Sequence, residues 1–515
     1  MAKNKVLLIY PPNQLMRVET PRPDGSLGPL YLASALERAG FETDVLDASV
    51  GTDADRLEDT FFKPVMQENG LIRIGMSEAR LREVIANGGY SVVGISSNFT
   101  PQTRMALDVA RLAKEVSQDI LVIAGGVNAR SISERFLKSG CVDAVCLTEG
   151  ERIIVNLVKK WEEKRNLCGV SGIIRIGDGG DFITEPVTPS DVSIYLDELP
   201  MPAWEKLPVI HYERIASPHA VLSAKRERYR PVMTSRGCWA SCLYCHISHE
   251  KKYAKERGGI GSLRFKSVER VMDELAQLKS LGTTKLYLED DTLFVHKKRI
   301  IDIFKRARGM GFTLADVNGV NLPHFQKREG EGLVIDEEFL TLLVEAGFDH
   351  IEFPVESASQ RILNKYATGK LTHATLDVEE LVRKTVAVGI ACPVNMMVGF
   401  PDETEEEMMQ SFELGKRLVE AGAENCTPLI PIPFPGSMLY EYALEHGHLA
   451  GDFDTDRLNW KNCVLENTVV PPERIVELRD WGWEYMNKSG HVSARLLASA
   501  GVRWESGAPS PTVPV

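Results

Sequence analysis

The sequence has few cysteines, no long apolar run and no excess of basic residues. Nine cysteines among 515 residues, an odd number, argue against a full disulfide framework and favour a reducing, cytoplasmic setting. No apolar run reaches the about 20 residues of a transmembrane helix. Sixty Lys and Arg against 72 Asp and Glu give a net charge of −12, which disfavours a protein that coats nucleic acid. We therefore expect a cytoplasmic protein without a transmembrane segment or a nucleic-acid partner.

Phosphate-binding fingerprints are also missing. No G-x-G-x-x-G follows the first apolar segment, and no G-x-x-x-x-G-K-[ST] occurs in the chain. What the first 150 residues do contain is a repeated alternation of strand and helix signals. The predicted strands are Lys5–Tyr10, Phe41–Leu46, Ser91–Ser96, Ile120–Ala124 and Val142–Leu147. This alternation predicts a doubly wound, Rossmann-like parallel sheet in an α/β fold.

Ligands of such sheets bind where the strands end, at the carboxyl edge. Without a phosphate loop, a ligand there is expected to be held by groove shape and by small residues. For the glycine pair Gly125–Gly126, which follows the fourth predicted strand, the alternative is a simple tight turn. The candidate contacts at these strand ends are Ser96, Ser97, Asn98, Gly125, Gly126, Glu149 and Gly150.

The sharpest feature of the sequence is the segment RGCWASCLYC. It contains three cysteines in the spacing C-x3-C-x2-C, namely Cys238, Cys242 and Cys245. Three thiolates can bind three irons of a [4Fe–4S] cluster and leave the fourth iron open. Because His246 and His249 follow closely, a zinc site with three cysteines and one histidine is the alternative at this point.

Six strand-then-helix units surround and follow this segment. Their strands are predicted at 231–235, Lys285–Glu289, Thr313–Val317, His350–Val355, Cys392–Val398 and Thr427–Pro433. Their helices are predicted at Val268–Leu281, Lys297–Met310, Glu337–Glu345, Ser359–Val388, Glu403–Ala421 and Met438–His446. Six such repeats predict a partial barrel of parallel strands, with its chemistry at the carboxyl end of the strands.

These features together resemble the radical SAM superfamily. The C-x3-C-x2-C segment has an aromatic residue before its last cysteine and opens a six-fold βα array. Three further segments resemble family motifs at strands 4, 5 and 6: PVESAS from Pro354, with Pro in place of Gly, GFPDET from Gly399, and PFPGS from Pro433. The acidic segment LEDDT, from Leu288, occupies the strand 2 position where the family binds the amino group of S-adenosylmethionine (SAM).

The resemblance implies that SAM binds beside the three cysteines, which would ligate the cluster. Two structural alternatives stay open: the aspartates cap a helix, and Glu356 forms an ordinary salt bridge. The sequence also leaves open which of the three strand 2 acids points inward. The implied SAM contacts are Tyr244, Glu289, Asp290, Asp291, Glu356 and Ser357.

With the preceding doubly wound domain, the whole chain resembles the cobalamin-binding branch of this superfamily. Many corrinoid proteins place a His under cobalt through a D-x-H-x-x-G motif, but the first His of this chain is His211. The resemblance therefore implies base-off cobalamin without a His ligand from residues 1–210. The residues named above at the strand ends of the first domain are therefore the implied cobalamin contacts.

The resemblance implies a C-methyltransferase that acts on an unactivated carbon of a small-molecule, natural-product, lipid or pigment intermediate. An external electron donor of the flavodoxin or ferredoxin type would reduce the cluster. One alternative is an enzyme of the same architecture that rearranges, cyclises or oxidises its substrate. The others are a non-catalytic corrinoid sensor and a zinc-stapled binding module.

The predicted domain order follows from these segments. Residues 1–150 form the cobalamin-binding domain, 151–225 a connector and 226–450 the partial barrel. After residue 450 the pattern changes to a mostly helical tail that contains several tryptophans. We expect this tail, residues 451–515, to close the barrel mouth and help select the substrate, and we expect its end from Gly507 to be disordered.

Overall fold

The computed structural model of the protein describes residues 5–16, 26–215, 227–449, 453–459 and 461–487. The predicted disordered end therefore lies outside the described residues. In the first unit the strands are β1 (Lys5–Tyr10), β2 (Asn13–Leu15), β3 (Glu42–Asp47), β4 (Val65–Met66), β5 (Ile72–Ile74), β6 (Val92–Ser96), β7 (Leu121–Gly125), β8 (Ala144–Cys146), β9 (Ile173–Ile176) and β10 (Phe182–Glu185). Its helices are α1 (Leu27–Arg38), α2 (Glu78–Gly88), α3 (Thr103–Val116), α4 (Val127–Ser131), α5 (Ser133–Lys138), α6 (Gly150–Lys164) and α7 (Val209–Tyr212).

Seven of these strands form one sheet in the order β10-β9-β8-β7-β6-β1-β3. The five strands β8, β7, β6, β1 and β3 run parallel to one another. Strands β9 and β10 add an antiparallel edge. The order of the parallel strands reverses between β1 and β6, which is the switch point where doubly wound sheets bind ligands. The sheet also continues beyond residue 150, the predicted end of the first domain.

The apolar run of β1 explains why this sheet is covered on both faces. Side chains alternate along a strand, so Leu7 and Ile9 pack into the core on one side, while Val6 and Leu8 pack into the core on the other. Helices α2 and α3 cover the first side, and α1 and α6 cover the second. This arrangement confirms the predicted doubly wound fold.

The second unit begins after the connector. Its strands are β11 (Tyr229–Val232), β12 (Ser235–Arg236), β13 (Arg264–Phe265), β14 (Lys285–Leu288), β15 (Thr313–Asp316), β16 (Gln326–Glu329), β17 (Gly332–Ile335), β18 (Phe348–Ile351), β19 (Phe353–Glu356), β20 (Val394–Met397) and β21 (Cys426–Leu429). Its helices are α8 (His246–Lys252), α9 (Val268–Ser280), α10 (Lys297–Ala307), α11 (Glu337–Ala346), α12 (Gln360–Tyr366), α13 (Val378–Ala387), α14 (Glu405–Glu420), α15 (Met438–Glu445) and α16 (Pro472–Met486).

The six predicted barrel strands are present and parallel. Strands β11, β14, β15 and β18 pair in that order, and β19, β20 and β21 continue the curve. The fourth barrel strand is interrupted at Glu352, so it counts as β18 and β19. The predicted partial (β/α)6 barrel is therefore confirmed, and Glu352 marks a break in its wall.

One feature of this unit was not predicted: a hairpin, β16 with β17, follows the third barrel strand. The helices predicted over Ser359–Val388 are α12 and α13. In the predicted helical tail, helix α16 packs on α14 and on β21. The Asn487 side chain pairs with both the N–H and the C=O of Cys426, each at 2.8 Å. The described part of the tail thus covers the edge strand of the barrel.

The described residues contain no helix that is long and apolar enough to cross a membrane. All nine cysteines lie within the described ranges, and each has a free thiol.

Candidate functional site

The three cysteines of the C-x3-C-x2-C segment lie in one loop between β12 and α8. Gly237 enters this loop with φ +85°, and a Cβ there would lie 2.3 Å from the carbonyl oxygen of Ser262, so only glycine fits. The Leu243 N–H donates to the carbonyl oxygen of Tyr366 at 2.8 Å, and Lys251 Nζ donates to the carbonyl of Trp239 at 3.1 Å. These contacts fix the loop on the carboxyl end of the barrel.

The bare thiols resist ionisation in this loop. Burial raises the pKa of Cys238 and Cys242, and it raises the pKa of Cys245 to about 12. Because thiolates are the metal ligands, a positively charged group must stabilise their ionised forms. The iron ions of a [4Fe–4S] cluster provide that charge, so the donor set fits the group that the sequence predicts.

The two histidines of the zinc alternative make other contacts or face solvent. His249 Nε2 lies 3.2 Å from Glu441 Oε1. His246 is exposed to solvent. Within the described ranges, no three His, Cys, Asp or Glu side chains lie close enough together to hold a single metal ion.

The acidic segment after β14 divides into three different environments. Asp290 is fully buried, and its carboxylate accepts hydrogen bonds from the Thr234 N–H at 2.9 Å and from the hydroxyls of Thr234 and Ser235 at 2.7 and 2.5 Å. Burial raises the pKa of Asp290, although these hydrogen bonds and the charge of Arg299 on α10 act to lower it. Asp290 is therefore a structural carboxylate that joins strands β11 and β12 to strand β14.

Its two neighbours face elsewhere. Because side chains alternate along a strand, we expect the Glu289 side chain to point away from that of Asp290. Asp291 Oδ2 accepts a hydrogen bond from the Gly237 N–H at 2.7 Å, directly before Cys238. Burial raises the pKa of Asp291 to about 6. Asp291 thus contacts the cluster loop directly, and strand alternation leaves Glu289 as the second candidate for SAM.

Glu356 ends the fourth barrel strand in a strained conformation, with φ +68° on a non-glycine residue. Its buried carboxylate forms an ion pair with Lys370. Burial acts to lower the pKa of Lys370, but the charges of Glu356 and Cys242 outweigh that effect and raise it. Lys370 therefore stays charged beside the cysteines. No motif of the sequence marked this residue.

Ser357 and Tyr244 complete the predicted SAM set. Ser357 is fully buried, and its hydroxyl accepts a hydrogen bond from the Ser359 N–H at 3.1 Å. The Tyr244 ring lies against Phe400, with centroids 6.1 Å apart. Burial and then the charge of Glu356 raise the pKa of Tyr244 well above its usual range. Tyr244 thus lies on the Glu356 side of the cluster loop.

The strand 5 and strand 6 motifs have structural explanations. The buried carboxylate of Glu403 accepts hydrogen bonds from the N–H groups of Gly399 and Phe400, at 2.6 and 3.1 Å, and so closes the turn after β20. Gly436, at φ +85°, has room for no side chain, because a Cβ would lie 2.1 Å from Ser131 Oγ of α4. The strand 6 motif is therefore a contact with the first unit.

The glycine pair after β7 forms a close-packed turn at the switch-point edge. A Cβ on Gly126, at φ +102°, would lie 2.4 Å from both Ser97 O and Asn98 Oδ1. Ser96 pairs with Gly125 across the strands β6 and β7, and the Ser97 N–H donates to the Gly125 carbonyl at 2.8 Å. Ser97 is buried, and its hydroxyl accepts a hydrogen bond from Asn128 Nδ2 at 2.9 Å, so Ser96, Asn98 and the two glycines are the candidates that remain at this edge.

The residues that follow the next strand, β8, make different contacts. Glu149 Oε2 lies 3.1 Å from Arg236 Nη1 and accepts a hydrogen bond from Arg264 at 3.0 Å. Although burial acts to raise it, these arginines hold the pKa of Glu149 below its usual range. Glu149 therefore ties the first unit to the strand that leads into Cys238. Gly150 begins α6 and packs against Leu32.

Further contacts bring the two units face to face. Arg130 of α4 forms an ion pair with Glu250 of α8, and Glu151 lies 2.7 Å from Arg236. Helix α4, which follows the glycine turn, and helix α8, which follows the cluster loop, are thus in direct contact. Sequence reasoning missed these arginines because their partners are more than 80 residues away in the chain.

Comparisons with known proteins agree with this two-part architecture. Residues 232–415 match the Radical SAM superfamily, and residues 25–158 match the B12 binding domain. An uncharacterized methyltransferase of Pyrococcus horikoshii is 27% identical over 447 residues, which cover 85% of this chain and 86% of the relative. Cytidylyl-2-hydroxyethylphosphonate methyltransferase of Streptomyces wedmorensis is 26% identical over 494 residues, which cover 90% and 85%.

A solved structure has the same fold over nearly the whole chain. The radical S-adenosylmethionine methyltransferase TsrM from Kitasatospora setae, determined with cobalamin and a [4Fe–4S] cluster bound, superimposes with a TM-score of 0.63 at 16% identity, covering 96% of this chain and 91% of that one. The chain thus combines a radical SAM domain with a B12 binding domain, the domain pair of cobalamin-dependent radical SAM enzymes. Its cofactors are a [4Fe–4S] cluster, SAM and cobalamin.

Proposed function

We propose that the protein is a C-methyltransferase that acts on an unactivated carbon of a small molecule, in the class of natural-product, lipid or pigment intermediates. The observation that supports this proposal is the direct contact between helix α4, after the glycine turn of the first unit, and helix α8, after the cluster loop of the second. A methyl donor and a radical source must both reach one substrate, and this contact would allow the two predicted cofactor sites to lie near each other.

The cofactors and the protein chain have different roles in this reaction. When bound, the cluster with SAM supplies a radical that removes hydrogen from carbon, and the cobalamin supplies the methyl group. The chain itself would position these groups. Cys238, Cys242 and Cys245 would ligate the cluster, while the edge formed by Ser96, Asn98, Gly125 and Gly126 would hold the corrin. Electrons would come from a small external donor of the flavodoxin or ferredoxin type.

The SAM-binding acids can be separated by mutation. We expect Glu289→Gln and Asp291→Asn each to weaken SAM binding by about ten- to a hundredfold, because a charged hydrogen bond to the SAM ammonium contributes roughly 1.5–3 kcal/mol. Binding to anaerobic, cluster-loaded protein is measured by equilibrium dialysis. Asp302→Asn, on the exposed face of α10, is the control. Wild-type SAM affinity in both variants would show that strand 2 does not bind the SAM ammonium.

The corrinoid prediction concerns the lower face of cobalt. No His precedes residue 211, and His211 Nε2 already lies 2.8 Å from the carbonyl oxygen of Thr52. We therefore expect electron paramagnetic resonance of the bound Co(II) state to lack axial nitrogen splitting. A triplet splitting would contradict base-off binding. If that splitting disappeared in His246→Ala, the ligand would be the histidine beside the last cysteine.

The reaction is tested with anaerobic holoenzyme, reductant, SAM and an extract of small molecules from the producing cells. Methyl transfer predicts that 5′-deoxyadenosine and S-adenosylhomocysteine form together and that a product gains one CH2 unit by mass spectrometry. Formation of 5′-deoxyadenosine with a product of unchanged or reduced mass would instead indicate rearrangement, cyclisation or oxidation. Neither nucleoside product would be expected from a corrinoid sensor.

A further inference from the structure

A lysine of helix α8 contacts the middle of the loop that carries the three cysteines. Helix α8 starts directly after the last cysteine, and Lys251 lies in its last turn. The Lys251 ammonium donates hydrogen bonds to the carbonyl oxygen of Trp239, at 3.1 Å, and to that of Ala240. Both acceptors lie between the first and the second cysteine of the C-x3-C-x2-C segment. The positive charge of Lys251 is therefore held against the cluster loop.

One peptide group connects this lysine to the first cysteine. The carbonyl of the peptide group between Trp239 and Ala240 accepts the hydrogen bond from Lys251. The N–H of the same peptide group, which belongs to Ala240, faces the Cys238 thiol and favours its ionised form. A hydrogen bond to the carbonyl end of a peptide group polarises its N–H end and makes it a better donor. Lys251 thus strengthens the N–H dipole that acts on the Cys238 sulfur.

The charge of Lys251 also acts on this sulfur directly. Burial raises the pKa of Cys238, whereas the Ala240 N–H and the charge of Lys251 act against that rise. Lys370 acts in the same direction, but it forms an ion pair with Glu356. Among the described residues, no carboxylate lies within 4 Å of the Lys251 ammonium. The charge of Lys251 is therefore not neutralised by a directly paired acid.

A cluster bound by these thiolates becomes more negative when it gains an electron. A nearby positive charge and an N–H group directed at a ligand sulfur both stabilise the more negative form, and so they raise the reduction potential. Lys251 provides the first of these effects and strengthens the second. Its position is thus suited to control how readily the cluster is reduced.

We propose that Lys251 raises the reduction potential of the cluster and so favours electron uptake from the external donor. Lys251 is a positioning residue that acts through its charge and through the peptide group after Trp239, without ligating iron. One electron passes from the donor, which is oxidised, to the cluster, which is reduced, and Lys251 keeps its proton. This inference rests on the proposed ligation of the cluster by the three cysteines, and it is independent of methyl transfer.

The test is a redox titration of anaerobic, cluster-loaded protein without SAM, in which electron paramagnetic resonance quantifies the reduced cluster. Lys251→Gln keeps a hydrogen-bond donor but removes the charge. At a fixed potential we expect an about tenfold lower ratio of reduced to oxidised cluster in this variant, which corresponds to a midpoint about 59 mV lower for a one-electron couple. Lys251→Arg keeps the charge, so its ratio should stay within about twofold of the wild type.

Lys252→Gln is the matched control for this titration. Lys252 is the next residue of the same helix, is exposed to solvent, and lies 2.7 Å from Glu441 Oε2. Removing its charge should leave the midpoint unchanged, because water and salt screen an exposed charge. Iron and sulfide are measured in every sample, so that each potential refers to a complete cluster.

The proposal is overturned if iron-replete Lys251→Gln has the wild-type midpoint, or if Lys252→Gln or Lys251→Arg lowers the midpoint as much as Lys251→Gln does. Loss of iron from Lys251→Gln would also overturn it, since the lysine would then hold the cluster in place instead of setting its potential. A failure of the proposed ligation is recognised separately, because Cys242→Ala would then retain its iron.

Discussion

Replacing Cys242 by Ala is expected to remove the iron–sulfur cluster and to abolish SAM cleavage. Three thiolates are the minimum anchor for a cluster whose fourth iron stays open, and Cys242 is buried at the centre of the loop. Iron and sulfide content of anaerobically purified protein should fall from about four per chain to near zero. Cys238→Ala and Cys245→Ala should have the same effect.

Cys426→Ala is the matched control for this prediction. Cys426 is fully buried on β21, and burial raises its thiol pKa far above the usual range, as expected of an inert structural cysteine. This variant should retain its iron and its SAM cleavage. Full iron content in Cys242→Ala would mean that the cluster is held elsewhere.

Replacing Asp290 by Ala is expected to destabilise the barrel more than any other single change among the strand 2 acids. The substitution leaves one backbone N–H and two hydroxyl donors buried without their acceptor. The expected loss is roughly 3–5 kcal/mol, which lowers the thermal midpoint by on the order of 10 °C. Melting of the anaerobic protein is followed by circular dichroism.

A control at an exposed acid shows whether the loss of stability is specific to the buried carboxylate. Asp302→Ala, at an exposed position of α10, should shift the midpoint by at most about 1 °C, because surface substitutions cost little. An unchanged midpoint in Asp290→Ala would show that this carboxylate does not join β14 to β11 and β12. In that case Asp290 would return as a candidate for SAM.

The elements that carry the site could be predicted because their signals are local. The alternating burial of β1 follows from its continuous apolar run, and each barrel strand follows from a short apolar segment before a helix. The cysteine spacing was equally local. The break at Glu352 could not be predicted, since it depends on how β18 and β19 pair with different neighbours.

The orientation of side chains required the three-dimensional structure. Three consecutive acids read alike in the sequence, and only the register of β14 shows that Asp290 is bound by Thr234 and Ser235. Glu149 looked like a cofactor contact because it ends a strand, but distant arginines occupy its carboxylate. Lys370 could not be predicted as a site residue, because it is part of no motif and a lone lysine between two helices is usually solvated.

The most direct test of the central claim follows the methyl group itself. Holoenzyme is incubated with reductant and SAM that carries a CD3 group, with and without cobalamin, and the substrate is analysed by mass spectrometry. The account predicts a product that gains 17 mass units, as CD3 replaces hydrogen, only when cobalamin is bound. A product that carries the label without cobalamin, or a product without the label, would contradict it.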